Sequence, residues 1–330
     1  MMKTIKLGVL GVSKHFITRV LPGVLKSGCI EVYAIASRDS AKARQASEKF
    51  GIPLYYASYD ELVKDKSLEI IYIPLPNHLH TEWIKRSADY GKHIICKKPL
   101  ALNAHEAREA IDYATAKGVK IMEAFMYRFH PQWQRALEIV NSGEIGTLTT
   151  IHTIFGYFNA DPANIRNIKS VGGGAIYDIG CYAVSSIRFL LQAEPRQVLC
   201  MLDRDPGFQT DIRANAILDF GEIRTLFTVG TQTFPAQSVE VYGTKGIMTI
   251  EIPFNPYPDS PAKIRIQSKG QTRILELGPA DQYQLEFDSF ADAILNNRPV
   301  PTPPEDAIHN QRVLDALFQS AQTGQWQKVD

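Results

Sequence analysis

Cysteine is scarce in this chain. Four residues among 330 (Cys29, Cys96, Cys181 and Cys200) stand far apart, and no C-x-x-C spacing occurs. That excludes the usual zinc-ribbon and dithiol redox arrangements. Reduced thiols in a cytoplasmic protein are the simplest account. Long apolar runs are also missing: nothing approaches the roughly 18 residues of a bilayer span. The opening MMKTIKLGVLGV is basic and then apolar, as a signal peptide is. It continues into GVSKHF without an A-x-A-like cleavage site, and so reads as a first strand. An excess of one charge is lacking too. Lys and Arg number 36 against 35 Asp and Glu, a net charge of +1, and they are scattered, which argues against nucleic-acid or anionic-membrane partners. There is no G-x-S-x-G elbow, and His and Asp residues do not gather at ligand spacing. A serine hydrolase and a metal enzyme therefore have no support.

What is present points to two domains. A length of 330 with 45% hydrophobic residues suits a soluble protein of that organisation. In the first half, apolar runs end in glycine, arginine or proline: TIKLGVLG, EVYAIASR, LEIIYIPLP, KHIICKKP and a weaker KIMEAF beginning at Lys120. Helix-like segments separate them over His15–Ser27, Ser40–Phe50, His78–Tyr90 and Asn103–Lys117. Strands apolar on both faces and separated by helices predict a parallel sheet covered on both sides. Such sheets bind ligands beyond the carboxyl ends of their strands.

The first such end carries Gly11-Val12-Ser13-Lys14-His15-Phe16, a degenerate G-x-G-x-x-G in which Ser13 and Phe16 replace the later glycines. It follows a strand and opens a helix, whose N–H groups attract a pyrophosphate. At the end of the second strand, where an NAD-binding fold usually places an acid, stand Ser37 and Arg38. A hydroxyl and a guanidinium fork suit a 2′-phosphate, so NADP is expected over NAD; Asp39 remains the alternative ribose ligand. The fourth run ends in Lys97-Lys98-Pro99, placing two cations at the mouth of the expected site.

From about Phe125 the βα alternation stops. Six segments between Gly146 and Leu277 alternate apolar and polar residues, with Gly and Asp between them, and predict an antiparallel sheet buried on one face. The other face must be solvated, covered or used for association. A helix opened by three glycines, GGGAIYDIGCYAVSSIRFLL, carries Asp178 and Tyr182 four residues apart beside its apolar stripe. By themselves these two fit a polar cleft as well as a favourable N-terminal charge and a core tyrosine. Helices near Gln282–Asn297 and Pro304–Ala321 complete the chain. The predicted fold is an α/β Rossmann-type domain over residues 1–124, then an α+β domain with a large, mainly antiparallel open sheet over 125–330.

Together GVLGVSKHF, AIASRDSAKA, YIPLPNHLH, CKKPLA, MEAFMYRFHPQ and GGGAIYDIGCY, in this order, resemble the glucose–fructose oxidoreductase / inositol dehydrogenase / rhizopine-catabolism (Gfo/Idh/MocA) family. The look is nearest to its NADP-preferring sugar and dihydrodiol dehydrogenase branch. The resemblance implies reversible hydride transfer between NADP(H) and a carbinol or ketone carbon of a sugar, polyol or cyclic diol. By position Lys98 is the family lysine that approaches the reacting oxygen, and Lys97 replaces the usual Glu, a departure read as a modifier. Asp178 and Tyr182 match the family's second motif, with Tyr182 or Lys98 as acid/base and Asp178 positioning. Leu75, Pro76, Asn77 and His80 match the nicotinamide-ribose loop, and Glu123 and Arg128 lie near the cofactor or form an inter-domain ion pair. Tyr157, Asn164 and Arg166 fall where substrate-side loops occur. A nucleotide-sugar ketoreductase and a non-catalytic NADP sensor or scaffold are the competing expectations. Association through the second sheet, as a homodimer or homotetramer, is expected as well.

Overall fold

The computed structural model describes residues 4–330. Its chain divides into two compact units. One comprises the residues up to Met126 together with Asp281–Ile308, and the other comprises Tyr127–Ala280 with His309–Asp330. The predicted boundary after residue 124 lies beside the first division. Asp281–Ile308, expected in the second domain, packs instead with the first. The reason is visible in its contacts: Asp281 meets Lys26, Asp288 takes the Ser27 hydroxyl, and Phe287 packs edge-on against Tyr72 at 5.2 Å.

The first unit is built on six parallel strands: β1 (Ile5–Leu10), β2 (Ile30–Ala36), β3 (Leu54–Tyr56), β4 (Ile70–Ile73), β5 (His93–Lys97) and β6 (Ile121–Ala124). Their order is β3-β2-β1-β4-β5-β6, and the chain reverses direction across the sheet between β1 and β4. That reversal leaves a crevice at the carboxyl ends of the strands. β4 is buried at all four positions because helices cover both faces. Predicted helices appear at Ser40–Phe50, His80–Asp89 and Ala104–Ala116. Two of them start where a side chain can take an orphan N–H, Asp39 accepting from Lys42 and Asn103 from Glu106; His80–Asp89 follows Leu79 with no side-chain cap. Sequence reading missed β3 and the short helix Tyr59–Lys64, which begins at a Ser58 cap; three residues are too few to show a period.

The second unit contains nine strands: β7 (Leu148–Phe158), β8 (Gln197–Arg204), β9 (Asp211–Asp219), β10 (Arg224–Gly230), β11 (Gln232–Gly243), β12 (Gly246–Ile250), β13 (Ala262–Ser268), β14 (Gln271–Leu277) and β15 (Gln327–Lys328). They run in the order β14-β13-β12-β11-β7-β10-β9-β8-β15. Neighbours are antiparallel except β7 and β10, which pair parallel in the middle. Two of the six alternating segments prove to be hairpins, with turns at Thr244-Lys245 and Lys269-Gly270. Inward residues such as Thr225, Phe227 and Val229 pack beneath helix Cys181–Leu191 and an aromatic cluster of Tyr127, Trp133 and Phe254. The outward face stays open. Among the described residues no helix is long and apolar enough to cross a membrane.

Candidate functional site

The glycine loop leaves β1 with Gly11 at φ +115°, a conformation that favours glycine. A Cβ there would press on Leu75 Cδ2 at 3.3 Å. The first turn thus approaches the β4 loop closely because it has no side chain at Gly11. Ser13 takes the place of the second glycine by capping: its Oγ accepts from Phe16 N at 3.1 Å. Phe16 is fully buried and packs on Tyr72 at 5.8 Å, so the third glycine is replaced by a core residue. His15 packs edge-on against Tyr283, and Lys14 is exposed.

At the end of β2, Ser37 is buried with its Oγ accepting from Asp39 N. Asp39 Oδ1 caps the following helix, and Arg38 is exposed, its charge felt at the Tyr59 hydroxyl, countering the upward push of burial on that phenol. A first turn opened by Gly11, a helix N-terminus and an exposed guanidinium at the ribose position fit a dinucleotide with a 2′-phosphate.

Two further loops complete this edge. Leu75 and Asn77 are buried, and Asn77 opens a short 3₁₀ turn leading into helix His80–Asp89. His80, expected beside the cofactor, is enclosed by the chain itself. It has no exposed surface, and its Nδ1 and Nε2 each lie 2.9 Å from a backbone carbonyl, those of Pro99 and Leu75. Burial, reinforced by the Lys97 charge, lowers its pKa to about 3. Lys98 is 8% exposed and Lys97 half-buried. Glu123 is buried, and its Oε1 accepts from Leu100 N at 2.7 Å, just past Lys98-Pro99.

In the second unit the structure joins residues that the sequence could only place separately. Tyr157 Oη donates to Asp178 Oδ2 at 2.5 Å, and Arg166 Nε donates to the same oxygen at 2.8 Å. Burial, then the neighbouring carboxylate, raises the Tyr157 pKa, and the Asp178 charge raises that of Arg166. Asn164 faces inward along its own loop, accepting from Arg166 N at 3.1 Å. Tyr182 is buried among the rings of Tyr127, Phe155 and Phe254. Arg128 also lies in this unit: Nη2 donates to Ser185 Oγ at 2.8 Å and the guanidinium sits over Phe189.

Two of the three glycines have separate uses. A Cβ on Gly173 would strike the Ile165–Arg166 backbone, and one on Gly174 would strike the Asp211 carboxylate. That carboxylate accepts from Ile176 N at 2.7 Å, which anchors the start of the helix bearing Asp178 and Tyr182. Sequence reading missed Asp211. Nothing local signals that a strand residue 35 positions later caps this helix. Among the described residues no group of His, Cys, Asp or Glu could hold a metal ion.

Comparison with known proteins decides the family. Residues 5–125 match the model of an oxidoreductase family with an NAD-binding Rossmann fold, and residues 133–249 match the GFO/IDH/MocA C-terminal domain. The chain belongs to the Gfo/Idh/MocA family of oxidoreductases. It is 40% identical to an uncharacterized oxidoreductase of Rhizobium meliloti, over 99% of this chain and all of that one. It is 36% identical to D-xylose 1-dehydrogenase (NADP(+)) 2 of Haloferax volcanii, over 98% and 99% of the two chains. Among solved structures, KijD10, a 3-ketoreductase of Actinomadura kijaniata in complex with NADP and TDP-benzene, superimposes with a TM-score of 0.92. That match has 27% identity and covers 96% of this chain and 98% of that one. The family resemblance and the Rossmann-type fold read from the sequence are thus borne out, and the first unit is a nicotinamide-dinucleotide-binding domain of an enzyme acting on CH–OH groups.

Proposed function

We propose that the protein is an NADP(H)-dependent dehydrogenase of a free sugar, polyol or cyclic diol. The observation that carries the cofactor choice is at the end of β2, where Arg38 is exposed and Asp39 caps the following helix. The similar D-xylose dehydrogenase is named for NADP, which agrees. When bound, the dinucleotide supplies hydride exchange at its nicotinamide. The chain's own residues handle the proton. Tyr182 Oη gives a proton in reduction and takes it in oxidation, and the Lys98 ammonium hydrogen-bonds the reacting oxygen. Asp178, held by Arg166 and Tyr157, presents a fixed carboxylate to a substrate hydroxyl. Support for the pair comes from the Actinomadura ketoreductase. It has been solved with a lysine changed to alanine and with a tyrosine changed to phenylalanine, and those two positions are spaced along its chain as Lys98 and Tyr182 are here.

The outward face of the second sheet supports self-association. Gly230, Gly156 and Ala236 stand side by side on β10, β7 and β11. They leave a trough flanked by Ile154 and by Phe234, which is 86% exposed. A homodimer formed through this face, in a reducing cytoplasm that keeps the four free thiols reduced, is the proposed working form. Light scattering should give twice the monomer mass, reduced to one by Phe234→Glu.

Fluorescence titration with NADPH and, separately, NADH tests the cofactor reading, followed by a panel of sugars, diols and a nucleotide-linked ketosugar. Tight NADPH binding, lost in Arg38→Ala without loss of NADH binding, is expected. Equal affinity for both cofactors would return the ribose to Asp39. Faster turnover of the nucleotide-linked ketone than of any free sugar would move the substrate to the ketoreductase class.

A further inference from the structure

β5 ends at Lys97, and the turn that carries Lys98 follows it. Two buried side chains hold it from outside. On one side Glu123, from β6, accepts the N–H of Leu100 at 2.7 Å. On the other, His80 lies between the Pro99 carbonyl and the Leu75 carbonyl, 2.9 Å from each. Each contact is a hydrogen bond when its nitrogen carries a proton, so a neutral ring, with one N–H, donates to one of the two carbonyls at a time. It fits only while the two loops keep their spacing. His80 is also the first residue of a ten-residue helix whose Trp83 and Ile84 are buried, which fixes the ring's own position.

We propose that His80 and Glu123 are positioning residues, forming a clamp that sets the Lys98–Leu100 turn at a fixed distance from the Leu75–Asn77 loop. The functional part of this inference rests on the reading that Lys98 serves the reaction; the mechanical part does not. A clamp of this kind sets the Lys98 ammonium without touching cofactor or substrate. It also assigns two residues, otherwise expected to contact the cofactor, a role exerted through the backbone.

The test uses the full-length protein. Hydrogen exchange is followed in peptides spanning Leu75–Asn77 and Lys98–Leu100, alongside NADPH fluorescence titration and D-xylose oxidation with NADP. His80→Leu and Glu123→Ala should each raise exchange at both loops together while the rest of the first unit keeps its protection. Displacement of a positioned group of this order costs roughly 10- to 100-fold in kcat, with the Kd for NADPH moving about twofold or less. Glu123→Gln keeps a carbonyl oxygen for Leu100 N–H and should recover most of the protection. His80→Gln serves the same end if His80→Leu does not fold. Folded His80 and Glu123 variants with unchanged exchange at the Lys98 turn, or changes confined to the mutated loop, would overturn the clamp. Lys98→Met separates the two claims. If it oxidises D-xylose normally, the reading of Lys98 falls while the exchange result stands; if it is inactive and the clamp variants turn over normally, the clamp falls alone.

Discussion

The two units hold their key polar groups in opposite ways. In the first, Lys98 sits on a turn fixed through backbone groups: a His80 ring between two backbone carbonyls, and Glu123, which accepts from Leu100 N. In the second, Asp178 is held by charge, with a guanidinium and a phenol on one oxygen, and its helix is anchored by a second carboxylate, Asp211. A bond to a backbone group has one partner whose charge does not answer to pH or salt. Ion clusters answer to both, since their strength depends on ionisation and screening.

The largest effects should come from the groups that each support serves. Lys98→Met or Tyr182→Phe should lower kcat by roughly 10²–10⁴-fold, the usual cost of an acid/base group. Stopped-flow measurement of hydride transfer would check this, and near-normal turnover in both would break the assignment. Next in size is the anchor. Gly174 has φ +122° and its missing Cβ is the space that the Asp211 carboxylate fills. Gly174→Ala therefore combines a left-handed strain with overpacking, an expected loss of roughly 2–4 kcal/mol, read as a shift in the urea midpoint.

A smaller effect tests the ion cluster itself. The Arg166 and Asp178 side chains are 32% and 16% exposed, so the pair is screened more than a fully buried one would be. Arg166→Met should cost about 1–2 kcal/mol. Adding Asp178→Asn should cost less than the sum of the two changes. Additivity in denaturant titrations would mean that the contact carries no coupling.

Much of this was legible in the sequence. The alternation of apolar strands with helices from β1 to β6, the glycine loop and the Asp178–Tyr182 spacing are all local, and local period survives without coordinates. What was illegible is long-range. Arg166, Tyr157 and Asp178 are each unremarkable alone, and only the packing of a 3₁₀ turn onto β7 and the helix start makes them one cluster. His80 was expected at the cofactor because its loop resembles the family's nicotinamide-ribose loop; the carbonyls of Leu75 and Pro99 that enclose it come from two loops. The parallel β7–β10 pair and the return of Asp281–Ile308 to the first unit are likewise decided by partners far along the chain.

A last prediction concerns pH, and it too lies in the first unit. Glu286, on helix Gln282–Leu295, is 1% exposed, and its Oε1 has no hydrogen-bond partner. Burial holds its pKa well above the ordinary value of 4.5. In the unfolded chain the carboxyl ionises near that ordinary value, whereas in the folded protein it keeps its proton. Between the two, the folded state binds one more proton than the unfolded state, so stability falls as pH rises, by roughly 1.4 kcal/mol per pH unit while the difference is complete. Below the ordinary value both states are protonated and the slope vanishes. Glu286→Gln removes the titration, so its stability should stay level where the parent declines, and the variant should be the more stable at neutral pH. Urea midpoints from about pH 4 to about pH 8 check this. A parent whose stability rises through that window would mean that Glu286 is ionised in the fold, and that the first unit, like the second, depends on a buried charge.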